Sequence, residues 1–286
     1  MELLSDRNTT TKTWPRSGNL LQYLLTDIWE IGSDPRVSKL PLMNGGPWLL
    51  LAIIAFYLYF STYLGPRLMK SRKAYDLRSV IRIYNFIMMC FNGYFFVLCA
   101  YHTDFGLKTW GCHPIILKEA DDMWHWKLKM IWFFLLSKFV DLLETVFFVL
   151  RKKDSQLSAL HIFHHSIVPL DVWVGMRYSP SESACFFPFI NSFVHMLMYL
   201  YYGLSTFGES MRPYLWWKKY LTQLQILQLS LISLHCFHLV LLPDCNIPKA
   251  LFAIYLPQAI LLVYLFVVFF IDTYAKNARK FQSKTD

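Results

Sequence analysis

The stretch PWLLLAIIAFYLYFSTYLGP, from Pro47 to Pro66, decides the fold because it runs for 20 residues without a charged side chain. The hydrocarbon core of a bilayer is about 30 Å thick, and a helix of roughly 20 mostly apolar residues can cross it. The whole chain is 55% hydrophobic and only 16% charged, whereas a soluble domain carries about a quarter charged residues. We therefore predict an all-α integral membrane protein.

Six further apolar runs follow, so the sequence predicts seven transmembrane helices. The predicted spans are Pro47 to Pro66, Ser79 to Tyr101, Trp124 to Leu150, about Leu157 to Gly175, Ala184 to Thr206, Lys219 to Leu242 and Ala250 to Tyr274. They divide the chain into an N-terminal segment (residues 1–46), a seven-helix domain (residues 47–274) and a basic tail (residues 275–286).

Basic residues cluster at the ends of alternate spans, and this pattern sets the predicted orientation. The links after the first, third and fifth spans and the tail hold these clusters, and the positive-inside rule places such links in the cytosol. The N-terminus then lies in the lumen, where the sequon at Asn8 could be glycosylated. The formal net charge of +9 is thus explained by topology and by contact with anionic membrane lipids, not by nucleic-acid binding.

The same topology places Cys112 and Cys245 in lumenal links, where disulfides are permitted. A ring of helices could bring these two links together, so we predict a disulfide between them. The other four cysteines lie in or near the spans and are interpreted as buried thiols; they are Cys90, Cys99, Cys185 and Cys236.

Four predicted spans carry polar residues at helical spacing, which indicates side chains that face protein or water. The sets are Lys138, Asp141 and Glu144 in the third span, His161, His164 and His165 in the fourth, Asn191, His195 and Tyr199 in the fifth, and Thr222, Gln225 and Gln228 in the sixth. We expect them to surround a central cavity. The alternative is purely structural, with an ion pair at Lys138 and interhelical hydrogen bonds elsewhere.

Three histidines within five positions have two chemical uses. Imidazole is the commonest metal ligand, and His161, His164, His165 and His195 could together hold one metal ion. A di-iron oxygenase or desaturase carries several histidine boxes, whereas this chain has one. Neutral imidazole is also a nucleophile and a proton carrier, and it can attack an acyl thioester.

Basic residues at the cytosolic ends of the spans would meet the charged head of an acyl carrier. They are Arg151, Lys152, Lys218, Lys219 and, in the tail, Lys276. The alternative is that these residues act only as topology signals.

Five ordered motifs resemble those of the very-long-chain fatty acid elongases, the condensing enzymes of the endoplasmic reticulum. They are DPRV from Asp34, HIFHH from His161, NSFVHMLMYLYYGLS from Asn191, YLWWKKYLTQLQILQ from Tyr214 and FIDTYAK from Phe270. The resemblance covers nearly the whole chain and is closest to the animal group that acts on saturated and monounsaturated acyl-CoA. One motif departs from the family pattern KxxExxDT, because KFVDLLET from Lys138 exchanges the two acids, Asp141 and Glu144.

The resemblance implies condensation of a long-chain acyl-CoA with malonyl-CoA to a 3-ketoacyl-CoA, carbon dioxide and free CoA. It implies six helices around a closed-ended acyl tunnel with a seventh outside, in the membrane of the endoplasmic reticulum. No bound cofactor and no metal are expected. The expected partners are the other enzymes of the elongation cycle, and a homodimer stays open.

The resemblance also implies roles for single residues. His164 would take the acyl group, with His195 facing it and with His161 and His165 orienting it, while Asn191 and His195 would stabilise an enolate. The remaining catalytic candidates are Lys138, Asp141 and Glu144, and the remaining substrate-binding candidates are Tyr199, Thr222 and Gln225. Two other classes stay open, a membrane oxygenase or desaturase that binds iron and a non-enzymatic seven-span lipid-binding protein.

Overall fold

The structure is a computed structural model that describes residues 20–112, 122–243, 245 and 247–275, with the side chains of residues 122–126 and 275 left out. Every regular element in these ranges is a helix, which confirms the all-α prediction. The predicted glycosylation site at Asn8 and the predicted substrate contact at Lys276 lie outside the described residues.

Eight main helices follow one another along the described part of the chain. They are α1 Trp48–Met69, α2 Arg78–His102, α3 Asp122–Asp141, α4 Leu143–Leu150, α5 Ala159–Tyr178, α6 Phe186–Ser205, α7 Lys218–Leu241 and α8 Lys249–Phe270. A π-helical turn, Phe60–Leu64, lies within α1, and another, Ile271–Ala275, extends α8.

Five helices in the described ranges are long and apolar enough to cross a membrane, namely α1, α2, α6, α7 and α8, with α6 and α8 counted as Ser183–Ser205 and Lys249–Tyr274. The protein is therefore a multi-pass membrane protein. The count of seven is not confirmed, because the predicted third and fourth spans are absent from the five. These two segments hold the polar residues, Lys138 to Glu144 in one and the histidine box in the other, and those side chains lower their hydropathy.

The third predicted span is two helices because the backbone tightens at Leu142. The amide of Leu142 donates to the carbonyl of Phe139 and the amide of Thr145 donates to that of Leu142, each at 3.2 Å. Such bonds, three residues apart, are those of a 3₁₀ turn, in which residues three apart share one face. The turn therefore places Asp141 and Glu144, which are three residues apart, on one face of the helix.

The fourth predicted span is one helix, α5, whose first turn carries His161. Ser158 caps this helix, because its hydroxyl accepts a hydrogen bond of 3.2 Å from the amide of His161. The cap satisfies one of the amides that a helix start leaves without a partner. It thereby fixes the backbone from which the histidine box projects.

The helices pack in a closed order, in which each helix contacts the next and the last contacts the first. Going round, α2 packs against α6, α6 against α7, α7 against α8, α8 against α5 and α5 against α3. The order closes between α3 and α2, where the rings of Phe95 and Phe134 lie 5.3 Å apart and the hydroxyl of Tyr84 donates to the carbonyl of Val140 at 3.3 Å. Helix α1 lies against α5 and α4, outside this closed order.

The segment before α1 is tied to the end of α5 by a fully buried arginine, Arg177. Its guanidinium donates to the carbonyl of Trp29 at 2.9 Å, to Oε1 of Glu30 at 2.8 Å and to the carbonyl of Met43. The indole of Trp173, one turn earlier, donates to the carbonyl of Leu42 at 2.8 Å. These bonds hold the segment over one end of the helix bundle.

The DPRV motif takes part in the same contact. The amide of Asp34 donates to the carbonyl of Arg177 at 2.9 Å, and the side chain of Asp34 accepts from Arg36 at 3.0 Å. The hydrogen bond to Asp34 raises the pKa of Arg36. The motif thus serves to dock the N-terminal segment.

Cys112 and Cys245 form a disulfide, with their Cα atoms 5.2 Å apart. It joins the link after α2 to the link after α7. Two imidazoles of α7 hold the same region, since Nε2 of His235 lies 2.9 Å from the carbonyl of Thr109 and Nε2 of His238 lies 2.9 Å from that of Trp110.

Replacing Cys112 and Cys245 by serine is expected to lower the free energy of unfolding. The bridge closes a loop with a sequence separation of 133 residues, for which the chain-entropy model gives up to about 5 kcal/mol. Chemical denaturation in detergent measures the loss, and peptide mapping without reductant identifies the bridge. Cys90→Ser is the control because Cys90 is a free thiol that is exposed on α2, so its interpretation as a buried thiol was wrong. Free thiols at both positions in fresh protein would contradict the bridge.

Candidate active site

A buried lysine joins α3 to α6. Lys138 Nζ donates to Oδ2 of Asp141 at 3.0 Å and to Oδ1 of Asn191 at 3.1 Å. The other oxygen of Asp141 accepts a hydrogen bond of 2.7 Å from the hydroxyl of Tyr199. All four residues are buried, and a charge pair taken out of water is tolerated only when its hydrogen bonds are well met. The structure thus brings four of the predicted site residues into one network.

The histidine box joins a second polar chain, which reaches outward to α1. Nε2 of His161 lies 2.8 Å from Oγ1 of Thr145, and that hydroxyl lies 3.0 Å from the hydroxyl of Tyr57. Tyr57 lies on α1, so the helix outside the closed order supplies a polar atom to the site. Sequence reasoning missed Tyr57, because a tyrosine in an apolar span gives no signal that separates it from a lipid-facing residue.

The three histidines of the box lie close together. The ring centroids of His161 and His165 are 4.2 Å apart, and those of His164 and His165 are 5.3 Å apart. Nε2 of His165 lies 3.8 Å from Oε2 of Glu144, which is too long for a hydrogen bond. His164 points elsewhere, because it lines a cavity together with Asn191.

This cavity has a volume of about 170 Å³. It lies between α3, α5, α6, α7 and α8, and its polar lining includes His164, Asn191, Gln228 and Asp171. Most of the other lining is apolar, with residues such as Val168, Phe187, Leu229 and Phe252. A mostly apolar cavity with a few polar groups is typical of a small-molecule site.

Two buried polar atoms near the box have no hydrogen-bond partner among the described residues. They are Oε1 of Glu144 and Nδ1 of His195. Buried polar atoms without partners are rare in folded proteins and call for an explanation. A substrate or a water molecule bound beside the box would supply the missing partner.

The cavity lining does not include three predicted substrate contacts, namely Tyr199, Thr222 and Gln225. Oγ1 of Thr222 donates to the carbonyl of Lys218 at 3.3 Å, within its own helix. The amide of Gln225 contacts the sulfur of Met198 at 3.7 Å. Gln228 is the residue of this row that lines the cavity.

The donor atoms that come together for a metal differ from the predicted set. One ligand atom each from Glu144, His161 and His165 lie within 4.8 Å of one another. His164 and His195, which the sequence grouped with His161 and His165, are not part of this cluster. Two imidazoles and a carboxylate could hold one ion such as Zn²⁺ or Fe²⁺.

The predicted basic contacts lie at helix ends. Arg151 is half-buried just after α4, and Lys152 is exposed. Lys218 and Lys219 are exposed in the first turn of α7, with Nζ of Lys219 5.8 Å from the ring of Phe270. The structure shows no contact between the two pairs in the part of the chain that it describes.

The sequence matches the profile of the ELO: GNS1/SUR4 family over residues 42–282. The chain belongs to this family. The match covers all eight helices of this ELO protein and the whole of the polar site.

Named relatives agree with this assignment. The chain is 39% identical over 252 residues to very long chain fatty acid elongase 1 of Mus musculus, covering 86% of this chain and 88% of the relative. It is 36% identical over 262 residues to elongase 7 of Drosophila melanogaster, covering 89% and 77%. It is 36% identical over 261 residues to elongase 4 of Homo sapiens, covering 90% and 80%. The predicted resemblance to the animal elongases is thereby confirmed.

Proposed function

We propose that this ELO protein condenses a long-chain acyl-CoA with malonyl-CoA, giving a 3-ketoacyl-CoA two carbons longer, carbon dioxide and CoA. The relatives named very long chain fatty acid elongases support this reaction. The observation that carries it to this chain's own residues is the position of His164. This imidazole lines an apolar cavity beside Asn191, whose side chain accepts from the buried Lys138.

The packing order of the helices supports the predicted architecture. Six segments, with α3 and α4 counted as one, would surround the acyl tunnel, and α1 would lie outside. The seven spans then place the N-terminus in the lumen of the endoplasmic reticulum and the tail in the cytosol. This topology puts the disulfide on the oxidising side of the membrane, where it can persist.

The first chemical step is acyl transfer to the protein. A ring nitrogen of His164 attacks the thioester carbonyl, the carbon–sulfur bond breaks, and the CoA thiolate takes the proton that the imidazolium loses. The product is an acyl-imidazole, which remains reactive enough to pass the acyl group on. His165, whose ring lies 5.3 Å from that of His164, orients the nucleophile.

The second step forms the new carbon–carbon bond. Malonyl-CoA loses carbon dioxide, and the electron pair left behind forms an enolate that attacks the acyl carbonyl. The bond to His164 breaks, and the ring nitrogen regains a proton from solvent. An enolate needs hydrogen-bond donors placed in advance, and Asn191 and the unpartnered Nδ1 side of His195 are the candidates.

The ion-pair network positions one of these donors. Lys138 fixes the oxygen of Asn191 at 3.1 Å, so the amide nitrogen of Asn191 is directed away from the lysine and can donate to an anion. Asp141 and Tyr199 hold Lys138 in turn. Thr145 and Tyr57 fix the ring of His161 in the same manner.

The cluster of Glu144, His161 and His165 also fits a metal ion. It offers three ligands for one ion, whereas an oxygenase or desaturase would need a larger set for two irons. The relatives are named elongases, which does not favour oxygen chemistry. Stoichiometric iron in active protein, lost on Glu144→Ala, would favour it.

The test of the proposed function is incorporation of radiolabelled malonyl-CoA by purified protein over a series of acyl-CoA lengths. Malonyl-CoA labelled at carbon 2 should give a labelled 3-ketoacyl-CoA, and malonyl-CoA labelled in the free carboxyl should release its label as carbon dioxide. Binding of acyl-CoA without any turnover would support the non-enzymatic alternative instead.

Neutralising Arg151 and Lys219 is expected to raise the KM for acyl-CoA by about three- to tenfold, with a smaller effect on kcat. CoA carries several phosphate charges, and these cations would bind them equally in the ground state and the transition state. We expect the wild-type KM also to rise with salt, because Lys219 is exposed and Arg151 is partly exposed, so that both charges are screened. Steady-state kinetics of Arg151→Gln and Lys219→Gln measures the effect.

Lys108→Gln is the matched control for the basic residues. Lys108 is an exposed lysine in a predicted lumenal link, with its Nζ 3.0 Å from Oδ2 of Asp104, and its loss should leave KM unchanged. Glycosylation at Asn8 reports correct insertion of each variant. An unchanged KM in correctly inserted Arg151→Gln and Lys219→Gln would remove these residues from the CoA site.

A further inference from the structure

A carboxyl group lines the apolar part of the cavity, away from the histidine box. Asp171 is the only acidic residue in the described lining. It lies on α5 seven residues after His164, which places it about 10 Å further along the helix axis. Val168, Val172 and Leu262 line the same cavity, so the group stands where a hydrocarbon chain would run.

The carboxylate of Asp171 has a neutral partner on the facing helix. The side-chain amide of Gln258, oriented with its nitrogen toward Asp171, donates to both carboxylate oxygens at 3.0 Å. The hydroxyl of Tyr255, one turn earlier on α8, donates to the backbone carbonyl of Asp171 at 3.1 Å. Asp171 and Gln258 both line the cavity, so the pair faces the ligand space as well as each other.

An acid at this depth is unexpected if the tunnel binds only methylene groups. An ionisable residue within the membrane normally marks a functional site. Whether ionised or protonated, a carboxyl group keeps hydrogen-bonding positions beyond the two that Gln258 uses. A plain alkyl chain would cover the remaining positions without bonding to them, whereas a hydroxyl group would donate to one.

We propose that Asp171 and Gln258 form a recognition site for a hydroxyl group on the acyl chain, so that hydroxylated long-chain acyl-CoA is a substrate class of this protein. The inference rests on the proposed function, with the acyl group on His164. An extended alkyl chain advances about 1.25 Å per carbon, so the separation of about 10 Å places the hydroxyl roughly eight carbons from the thioester carbonyl.

The test compares an unsubstituted acyl-CoA with chains of the same length that carry one hydroxyl between about carbon 7 and carbon 11. Malonyl-CoA incorporation gives kcat/KM for each. We expect wild-type protein to prefer one hydroxylated chain, and Asp171→Leu to lower that preference by about tenfold or more, because a site built to bond a hydroxyl discriminates strongly against its absence. Asp171→Asn should keep part of the preference, since an amide can still accept a hydrogen bond.

Val172→Ile is the matched control, because it changes the volume of the same cavity without changing its polarity and should affect both substrates alike. Gln258→Leu is the second variant, to be used if Asp171→Leu does not fold, and it should also reduce the preference for the hydroxylated chain.

Equal preference in wild type and in both variants would overturn the site and leave the pair as a hydrogen bond between α5 and α8. If no acyl-CoA is elongated, the proposed function itself fails. If unsubstituted chains are elongated and hydroxylated chains are not preferred, only this inference fails.

Discussion

His164→Ala is expected to lower the rate of condensation by at least about 10³-fold, since loss of a nucleophile removes the covalent route altogether. The side chain lines the cavity and contributes little to the ion-pair network, so the variant should fold. Malonyl-CoA incorporation measures the rate. Mass spectrometry of protein incubated with acyl-CoA alone should find one acyl group on wild type and none on the variant.

His238→Ala is the control for this experiment. His238 lies in the last turn of α7, where its Nε2 is 2.9 Å from the carbonyl of Trp110, far along the chain from the box. Loss of this imidazole should lower the stability of the protein and leave acylation of the wild-type His164 unchanged. A folded His164→Ala protein with the wild-type rate would refute the assignment of the nucleophile.

Lys138→Met is expected to lower the free energy of unfolding by about 3–5 kcal/mol, because removing one partner leaves a buried charge uncompensated. The charge left behind is Asp141, which is 3% exposed. Chemical denaturation in detergent, followed by tryptophan fluorescence, measures the loss. Wild-type stability in Lys138→Met would contradict the buried ion pair.

The double variant Lys138→Met with Asp141→Asn separates a structural role from a chemical one. It removes both charges and keeps an acceptor for the hydroxyl of Tyr199, so much of the lost stability should return. Condensation activity, which Lys138→Met should also lower, should not return in the double variant, because the lysine would no longer fix Asn191. A double variant that is both stable and fully active would leave this ion pair as structural only.

The helices were predictable because their limits are set by composition. The observed α2 and α7 begin one residue before the predicted Ser79 and Lys219, at the change from charged links to apolar runs. The split of the third span at Leu142 was not predictable, because nothing in KFVDLLET marks a tightened turn. The weak hydropathy of the histidine-rich span was visible in sequence, and it is one of the two segments missing from the apolar set.

The site was predictable where several polar residues share one helix face. Lys138, Asp141, Asn191 and Tyr199 do meet as a network. Spacing fixes which residues share a face but not how that face is rotated toward the cavity, which is why Thr222 and Gln225 lie off its lining. Single polar residues such as Asp171 form no row, so only the packing of α8 against α5 reveals their partner.

The tightened turn at Leu142 sets the angular position of everything that follows it on α4. Each residue turns the chain by about 100° in an α-helix and about 120° in a 3₁₀-helix, so α4 is rotated relative to a direct continuation of α3. In this rotated position of α4, Oγ1 of Thr145 lies 2.8 Å from Nε2 of His161, and Oε2 of Glu144 lies 3.8 Å from Nε2 of His165. Before the turn, the carboxylate of Asp141 lies 3.0 Å from Nζ of Lys138. After the turn, the carboxylate of Glu144 lies beside the histidine box, 3.8 Å from His165, so the turn assigns one acid to the lysine network and the other to the histidines.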